Sequence, residues 1–458
     1  MSRSKHRPFR FVAQHVELEI ESIDFDGNGI GHHNGKVHFV EGAITGERVI
    51  AEITQSKPNY SKAITREVVR SSSARVEPTC PHFGVCGGCS MQHVENSVQV
   101  AIKNRALEDL LLRIGRQRPE QMLQPVYGPF WHYRHRARLA ARLMDNKGML
   151  LGFHEKGSSY VANMEACPIL PKHVSAMLVP LAQMLEGLSV ASSVPQLELA
   201  VGEGVTAWVL QHLKPLSSTD KKALKRFGEQ YGVDWWLQPE GPSSVHRLLP
   251  QTPVDLLFSI PSFGIQMHFR PTDFTQVNHM MNDSMVSRAI SLLALNAKDR
   301  ALDLFCGLGN FTLPLAQHCA YVKGLEGSQD LVNRAHANAI LNQLHHKTEF
   351  HVRNLFEVDS SEWESWGIHN KVLIDPPRDG ALQICKAIVG AKTTFQPERI
   401  VYVSCNPATL ARDSFVLCST GRYRLTRAGV VNMFPHTSHV ESIAVFELDE
   451  TKQVEVVL

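Results

Sequence analysis

The sequence predicts an α/β protein in which a doubly wound, mostly parallel sheet follows a small OB-like β-barrel and a mixed α+β central segment. From about residue 280, helical and β-biased segments alternate, which is typical of a parallel sheet covered by helices. Glycine or polar residues follow several of these strands, at the edge where open α/β sheets bind ligands. The first seventy residues are instead rich in short strands and turns.

The composition is that of an ordinary globular protein. Of 458 residues, 43% are hydrophobic and 20% charged, and the formal net charge of +2 favours no class of partner. The length suits two to four domains. The sequence shows no apolar run of the roughly 20 residues that cross a membrane, and its basic N-terminus lacks an apolar signal core. We therefore expect a cytoplasmic protein with reduced thiols and no membrane partner.

The first predicted domain covers residues 12–70. Segments such as "HVELEIESID" and "KAITREVVR" alternate apolar and polar residues, which favours a small five-stranded barrel of the oligonucleotide-binding kind. A basic arm of Arg3, Lys5, Arg7 and Arg10 precedes it. A purely structural barrel with a solvated arm explains this segment equally well.

The second predicted domain, residues 71–270, contains a cluster of cysteines. "CPHFGVCGGC" holds Cys80, Cys86 and Cys89 within ten residues, and Cys167 is the best candidate for a fourth ligand. Four thiolates suit a tetrahedral zinc or an iron–sulfur cluster, and the residue types do not separate the two.

The same domain carries a basic, aromatic segment, "FWHYRHRARLAAR". In a strand, Arg134, Arg136 and Arg138 would share one face, because side chains alternate. Such a face beside aromatic rings suits RNA phosphates and bases. A solvated charged face is the alternative.

The third predicted domain, residues 271–458, begins its sheet with a glycine-rich turn. In "LDLFCGLGNF", Gly307 and Gly309 would let the backbone approach a ligand at a helix N-terminus. Glu326, at the next strand end, would accept ribose hydroxyls. Asn310 and Phe311 stand where a dinucleotide fingerprint has its third glycine. An adenosine ligand without a pyrophosphate is therefore favoured, and S-adenosylmethionine is the common one.

Three further polar residues follow predicted strands of this sheet. Asn354 suits an adenine edge, Asp375 is followed by two prolines that fix its turn, and Cys405 stands between a strand and a proline-started helix. A cysteine there is either a packed hydrophobe or a rigidly held nucleophile. Because the other strand ends point to one ligand site, we expect the nucleophile.

Together these segments resemble the RNA uridine C5-methyltransferases. The resemblance rests on "FTQVN", "DLFCGLGNFTLPLA", "DPPRDG", "VSCNPATLARD" and "MFPHTSHVES", which follow in the family's order from residue 274 to 442. It implies the S-adenosylmethionine methyltransferase version of the doubly wound sheet, with Cys405 as nucleophile and Glu441 as general base. The residues that it implies for the cofactor are Gln276, Phe305, Asn310, Glu326, Asn354 and Asp375.

The implied reaction suits these residue types. A thiolate that adds to uracil C6 makes C5 nucleophilic, so covalent catalysis divides one difficult step into easier ones. The environment of Cys405 should lower its pKa, because the thiolate is the reactive form. A positioned base must then remove the C5 proton. Cytosine methyltransferases typically present Pro-Cys, whereas this chain presents Ser-Cys-Asn.

One branch of the resembled family accounts for the remaining features. Enzymes of that branch act on 23S ribosomal RNA and carry a [4Fe–4S] cluster on this cysteine pattern, and some have an N-terminal TRAM domain, which residues 12–70 resemble. We therefore expect a monomer that methylates 23S rRNA. The same reaction on transfer RNA or on another 23S site is an alternative, as is an inactive iron–sulfur RNA-binding or assembly factor.

Overall fold

The computed structural model describes residues 14–250 and 256–449. The predicted basic arm, Arg3 to Arg10, lies outside these residues. The chain divides into two compact units. The first contains residues 1–78, 89–102 and 436–438, and the second contains residues 79–88, 103–435 and 439–458. The predicted boundaries of three domains stay a prediction.

The first unit is built on a six-stranded sheet with the order β1-β5-β6-β4-β3-β2. Inward and outward residues alternate along β1, where Val16 and Leu18 are buried, so the period of two predicted from the sequence is confirmed. The predicted five strands become six because a two-residue strand, β2, pairs with β3. The strands are β1 (His15–Glu19), β2 (Ser22–Ile23), β3 (Gly29–His33), β4 (Lys36–Glu41), β5 (Arg48–Ser56) and β6 (Tyr60–Arg70).

A short piece from near the C-terminus completes the first unit. The main-chain N–H of His436 donates to Gln99 Oε1 at 2.9 Å. The N–H groups of Ser90 and Met91 both donate to the His436 carbonyl at 2.9 Å. Gln99 lies on helix α1 (Asn96–Arg113), which continues into the second unit. The unit is therefore assembled from segments far apart in sequence.

The second unit contains a mixed sheet with the order β13-β12-β11-β10-β8-β9 and a hairpin of β14 and β15. Helix α3 illustrates how local sequence sets its ends: Ser217 and Asp220 form a capping box, and Gly232 ends the helix at φ 66°. The elements are β7 (Gln121–Met122), β8 (Arg136–Met144), β9 (Gly148–Gly152), α2 (Lys172–Glu186), β10 (Gln196–Gly202), β11 (Val205–Gln211), α3 (Ser218–Tyr231), β12 (Val233–Gln238), β13 (His246–Arg247), β14 (Leu256–Ile260), β15 (Ile265–Phe269) and α4 (His279–Leu293).

The second unit also contains an eight-stranded sheet with the order β18-β17-β16-β19-β20-β22-β21-β7. The strands from β18 to β20 are parallel, and β22 is antiparallel to both of its neighbours. The elements are β16 (Arg300–Leu304), α5 (Thr312–His318), β17 (Tyr321–Glu326), α6 (Gln329–Leu341), β18 (Thr348–Val352), α7 (Ser360–Ser365), β19 (Lys371–Ile374), α8 (Leu382–Gly390), β20 (Arg399–Ser404), α9 (Pro407–Cys418), β21 (Tyr423–Val431) and β22 (Glu441–Leu448).

Both faces of this sheet are buried, which explains its continuous apolar strands. Along β20, Val401 and Val403 pack in one core, while Ile400 and Tyr402 pack in the other. The strand order reverses between β16 and β19, which creates the crevice where ligands bind in such folds. The predicted doubly wound fold is confirmed.

In the part of the chain that the structure describes, no helix is both long and apolar enough to cross a membrane.

Candidate active site

A cavity of about 540 Å³ opens at the carboxyl ends of the parallel strands in the second unit. The sequence prediction placed Gly307, Glu326, Asn354, Asp375 and Cys405 at one sheet edge, and the structure brings them together there with the residues that the resemblance implied. Those lining the cavity are Gln276, Phe305, Gly307, Asn310, Glu326, Asn354, Asp375, Cys405 and Glu441.

The turn after β16 approaches the cavity in an unusual backbone conformation. Gly307 and Gly309 have φ of 53° and 93°, and Phe305 also lies in the left-handed region at 63°. A bulky residue at positive φ is strained, and such strain clusters at ligand sites. The Phe305 ring packs against Phe356, with 5.6 Å between ring centroids. No pattern in the sequence indicates that this phenylalanine is strained.

This turn fixes the carboxylate of Glu326. The N–H of Gly307 donates to one Glu326 oxygen at 3.1 Å, and the N–H of Ser328 donates to the other at 3.1 Å. Each carboxylate oxygen keeps a further lone pair that can accept a ribose hydroxyl. A Cβ on Gly307 would meet no atom within 4 Å, so this position faces open space. The residues therefore fit an adenosine-containing cofactor.

Asn310 is held in place by a neighbouring amide. Its side chain exchanges two hydrogen bonds with Asn282 of helix α4, at 2.8 and 2.9 Å. Asn282 is buried, so this reciprocal pair fixes the orientation of Asn310 at the cavity wall. Sequence reasoning missed Asn282, which lies in an ordinary helical pattern.

The other end of the cavity brings Cys405 and Glu441 together. Strands β20 and β22 pair Ser404 with Ser442, and Cys405 and Glu441 are the residues next to this pair in each chain segment. Both line the cavity, and the charge of Glu441 acts on the Cys405 thiol. Strand β20 ends at Ser404, and Asn406 caps helix α9 by accepting from the Ala408 N–H, so Cys405 lies between strand and helix.

The electrostatics of this pair differ from the sequence expectation. Burial, followed by the charges of Glu441 and Asp375, raises the pKa of Cys405 to about 11, although Arg378 acts in the opposite direction. The predicted lowering of this pKa is therefore wrong for the cavity without ligands. The physical reason is that acidic side chains share one desolvated space, which disfavours a further negative charge.

The pKa values of Glu441 and Asp375 are raised, as is that of Cys405. Glu441 is 3% exposed, and burial, with a smaller contribution from Asp375, raises its pKa well above the ordinary value. Burial raises the pKa of Asp375 to about 7. A carboxylate with a raised pKa is a stronger base than an exposed one, which suits acid–base work.

We expect Cys405 to be alkylated slowly by iodoacetamide in the absence of cofactor. Its thiolate fraction should rise about tenfold per pH unit until pH approaches 11. S-adenosylmethionine should accelerate alkylation relative to S-adenosylhomocysteine, because only the former carries a cationic sulfonium. The rate is measured by mass spectrometry of the Cys405 peptide, with the Cys418 peptide as internal reference. A plateau below pH 9 without cofactor would contradict the raised pKa.

Helix α9 also positions the "DPPRDG" loop at the cavity. The Asn406 amide donates to the Arg378 carbonyl at 3.0 Å, and the Arg412 guanidinium donates to the Asp379 carbonyl at 2.8 Å. The buried carboxylate of Asp413 accepts from the N–H of Ala381 at 2.8 Å. The sequence contained these residues within "SCNPATLARD" but gave no indication of what they hold.

The predicted metal ligands are not assembled into a metal-binding group. Cys80, Cys86 and Cys167 belong to the second unit and Cys89 to the first, and none of the nine cysteines, all of which the structure describes, forms a disulfide. Burial raises the pKa of Cys86, and the nearby Cys80 adds to this effect. Among residues 14–250 and 256–449, no group of three or more His, Cys, Asp or Glu side chains could hold a metal.

The predicted arginine face is only partly formed. Arg134 precedes β8, and its guanidinium lies 5.3 Å from the centre of the Phe153 ring. Arg136 is half-buried and donates to the Pro271 carbonyl at 2.6 Å. Arg138 is 67% exposed and pairs with Glu198 at 2.7 Å. Arg136 and Arg138 lie on one face of β8, but a strand face shared by all three arginines is wrong because the strand begins at Arg136. Their contact with RNA stays a prediction.

The sheet order and the cavity at the strand reversal, lined by a cysteine and a buried glutamate, are those of a doubly wound α/β enzyme. The sequence profile described as tRNA (Uracil-5-)-methyltransferase matches residues 95–448, and the TRAM domain profile matches residues 10–65. The chain belongs to the tRNA (Uracil-5-)-methyltransferase family.

Relatives cover nearly the whole chain. A protein of Bordetella avium is 53% identical over 94% of this chain and 90% of its own length. One of Cupriavidus pinatubonensis is 53% identical over 94% and 95%. Both are named 23S rRNA (uracil(1939)-C(5))-methyltransferase RlmD. The solved tRNA (uracil-54, C5)-methyltransferase of Pyrococcus abyssi, in complex with S-adenosyl-L-homocysteine, has the same fold, with a TM-score of 0.71, 23% identity and coverage of 94% and 100%.

Proposed function

We propose that this protein transfers the methyl group of S-adenosylmethionine to C5 of a uridine in 23S ribosomal RNA. The observation that supports the reaction type is that Cys405 and Glu441, the neighbours of the paired Ser404 and Ser442, line the same cavity. The substrate is supported by the 51–53% identical relatives, whose names specify uracil 1939 of 23S rRNA. The corresponding uridine is the proposed target.

Cys405 and Glu441 perform the covalent steps. The Cys405 sulfur bonds to uracil C6, and the electron pair of the C5–C6 double bond makes C5 nucleophilic. S-adenosylmethionine supplies a methyl group that C5 takes, and its sulfur keeps the electron pair of the broken bond. Glu441 then removes the C5 proton, the double bond re-forms, and the C6–sulfur bond breaks with its electron pair returning to Cys405.

The cofactor end of the cavity positions the methyl donor. Glu326 accepts the ribose hydroxyls, the turn at Gly307 gives room, and Asn354 meets the adenine edge. Phe305, Asn310, Gln276 and Asp375 complete this wall. Arg378 is the cation that favours the thiolate of Cys405, since its charge lowers that pKa.

The substrate is tested by offering the purified protein two RNAs with labelled S-adenosylmethionine. Unmodified 23S rRNA should be labelled at a single uridine, and a transfer RNA transcript should not be labelled. Preferential labelling of transfer RNA would indicate instead that the substrate is transfer RNA, which the family's description names. A protein that binds both RNAs but labels neither would instead support an inactive binding factor.

We propose further that Cys80, Cys86, Cys89 and Cys167 bind one [4Fe–4S] cluster. The support is the C-x5-C-x2-C spacing of the first three cysteines and the electrostatic interaction between Cys80 and Cys86. Methyl transfer needs no electron transfer, so these residues would serve folding. Binding is then coupled to folding, because the ligands are separate in the chain and must converge.

Protein prepared without oxygen should be brown and contain about four iron and four sulfide per chain. Cys86→Ser should lower the iron content and RNA affinity, while the affinity for S-adenosylmethionine changes little. Cys319→Ser, a buried cysteine elsewhere in the second unit, is the matched control. Elemental analysis that finds zinc without iron would count against the cluster.

The remaining parts of the proposal concern RNA contact and cellular setting. Residues 12–70 act as a TRAM domain, residues 71–270 form the central domain, and residues 271–458 form the catalytic domain.

Arg138 is the best placed of the three arginines to contact RNA, because its side chain is exposed. The protein acts in the cytoplasm as a monomer.

A further inference from the structure

Consecutive main-chain carbonyls beside the cavity are each held by a buried side chain. Asn278 Nδ2 donates to the Met433 carbonyl at 3.3 Å, Lys103 Nζ to the Phe434 carbonyl at 2.8 Å and Tyr133 Oη to the Pro435 carbonyl at 2.9 Å. All three donors are at most 3% exposed. They come from widely separated parts of the chain, so the segment Asn432–Pro435 is fixed by the tertiary fold.

Lys103 makes the strongest of these contacts. Its ammonium also donates to the Asn432 side-chain oxygen at 2.8 Å. An ammonium can only donate, so it fixes the orientation of the Asn432 amide, whose nitrogen is then buried without a hydrogen-bond partner among the described residues. Lys103 is 1% exposed, and burial lowers its pKa to about 7. A buried lysine is costly for folding, which points to a role other than stability.

The segment that Lys103 holds leads directly to the reacting groups. Strand β21 ends at Val431, which pairs with Glu441 at the start of β22, so Asn432 opens the loop that precedes the proposed base. Phe434 lines the cavity and packs edge-on against His439, another lining residue, with 5.7 Å between ring centroids. A shift of this segment would displace the wall beside Cys405 and Glu441.

We propose that Lys103 is a positioning residue for the methyl transfer: by holding Asn432 and Phe434 it sets the wall against which the uracil ring and Glu441 are aligned. This inference rests on the proposed function. Lys103 contacts neither reacting atom, and its effect passes through Phe434 and the start of the loop. A misplacement of about 1 Å can cost roughly 10²-fold in rate.

The test compares Lys103→Met with the wild type under steady-state, multiple-turnover conditions. Methionine has a similar length but no donor, so we expect kcat to fall roughly 10- to 100-fold. The Kd for S-adenosylmethionine should stay within about threefold, because Glu326 and Gly307 lie elsewhere in the cavity. The covalent RNA–protein adduct should accumulate, since a displaced Glu441 slows elimination. Lys103→Arg, which keeps a cationic donor, should recover part of kcat.

Two matched variants separate positioning from folding. Arg105→Met, on the exposed face of the same helix, should leave kcat unchanged. Tyr133→Phe removes one hydroxyl that holds the same segment, and it should lower kcat several-fold without changing the Kd for S-adenosylmethionine. If Lys103→Met fails to fold, Tyr133→Phe tests the inference in its place.

These outcomes test the positioning role of Lys103 separately from the proposed methylation of 23S rRNA. Unchanged kcat in Lys103→Met, or in Tyr133→Phe if the former does not fold, would overturn it. A folded Lys103→Met that loses kcat and cofactor affinity together would also overturn it, since that pattern indicates a general structural role. If the wild type methylates no RNA, the proposed function itself fails.

Discussion

Cys405→Ser should abolish methyl transfer while leaving the cofactor bound. We expect the single-turnover rate to fall roughly 10⁴-fold or more, the scale of loss when a nucleophile is removed. A serine hydroxyl ionises far less readily than a thiol, and this cavity already disfavours a negative charge at the position. The Kd for S-adenosylmethionine, measured by calorimetry, should change less than about threefold.

Cys418→Ser is the control for this variant. Cys418 ends helix α9, the same helix that begins after Cys405, and it lies outside the cavity lining. It should retain activity. Methylation by Cys405→Ser at a rate near that of the control would mean that the reaction does not pass through a Cys405 adduct.

Glu441→Gln should trap a covalent, methylated RNA–protein adduct. Sulfur addition and methyl transfer need no base at C5, whereas elimination does, and a positioned general base contributes about 10²- to 10⁴-fold. The raised pKa of Glu441 makes it a stronger base than an exposed glutamate, so the loss should fall on the elimination step. A denaturing gel with labelled RNA should show a slowly migrating band that carries the methyl label.

Glu447→Gln serves as the matched control, because Glu447 lies on the same strand but pairs with Arg399 at 2.9 Å, away from the cavity. This variant should turn over without a persistent adduct. A Glu441→Gln protein that is inactive and forms no adduct would assign Glu441 to an earlier step.

The cavity could be predicted because the rules that build it are local. Continuous apolar strands, glycines after β16 and short polar residues after successive strands are visible in the sequence, and parallel strands end at the same edge of a sheet. Glu326, Asn354, Asp375 and Cys405 therefore had to converge once the sheet formed. The match to a family motif added Glu441, which no local rule would have selected.

The predictions of a metal site and of an RNA-binding face depended on residue spacing alone, and spacing does not determine how side chains are arranged in the folded protein. Four cysteines can be recognised as potential ligands, but spacing does not say whether they are assembled before a metal binds. Arg136 follows the basic pattern of its neighbours, yet its guanidinium reaches the Pro271 carbonyl. Which face of a strand is buried depends on what packs against it, and a single strand does not contain that information.

The sequence by itself therefore determined the fold class, the family and the residues that gather around the cavity. Only the tertiary structure decided the direction of the Cys405 pKa shift, the strained backbone of Phe305 and the contacts of Lys103. Each of these depends on residues distant in sequence: Asp375 and Glu441 raise the pKa of Cys405, and Asn432 and Phe434 accept the hydrogen bonds of Lys103. Desolvation and Coulomb interactions act through space, so they are fixed only when the chain has folded.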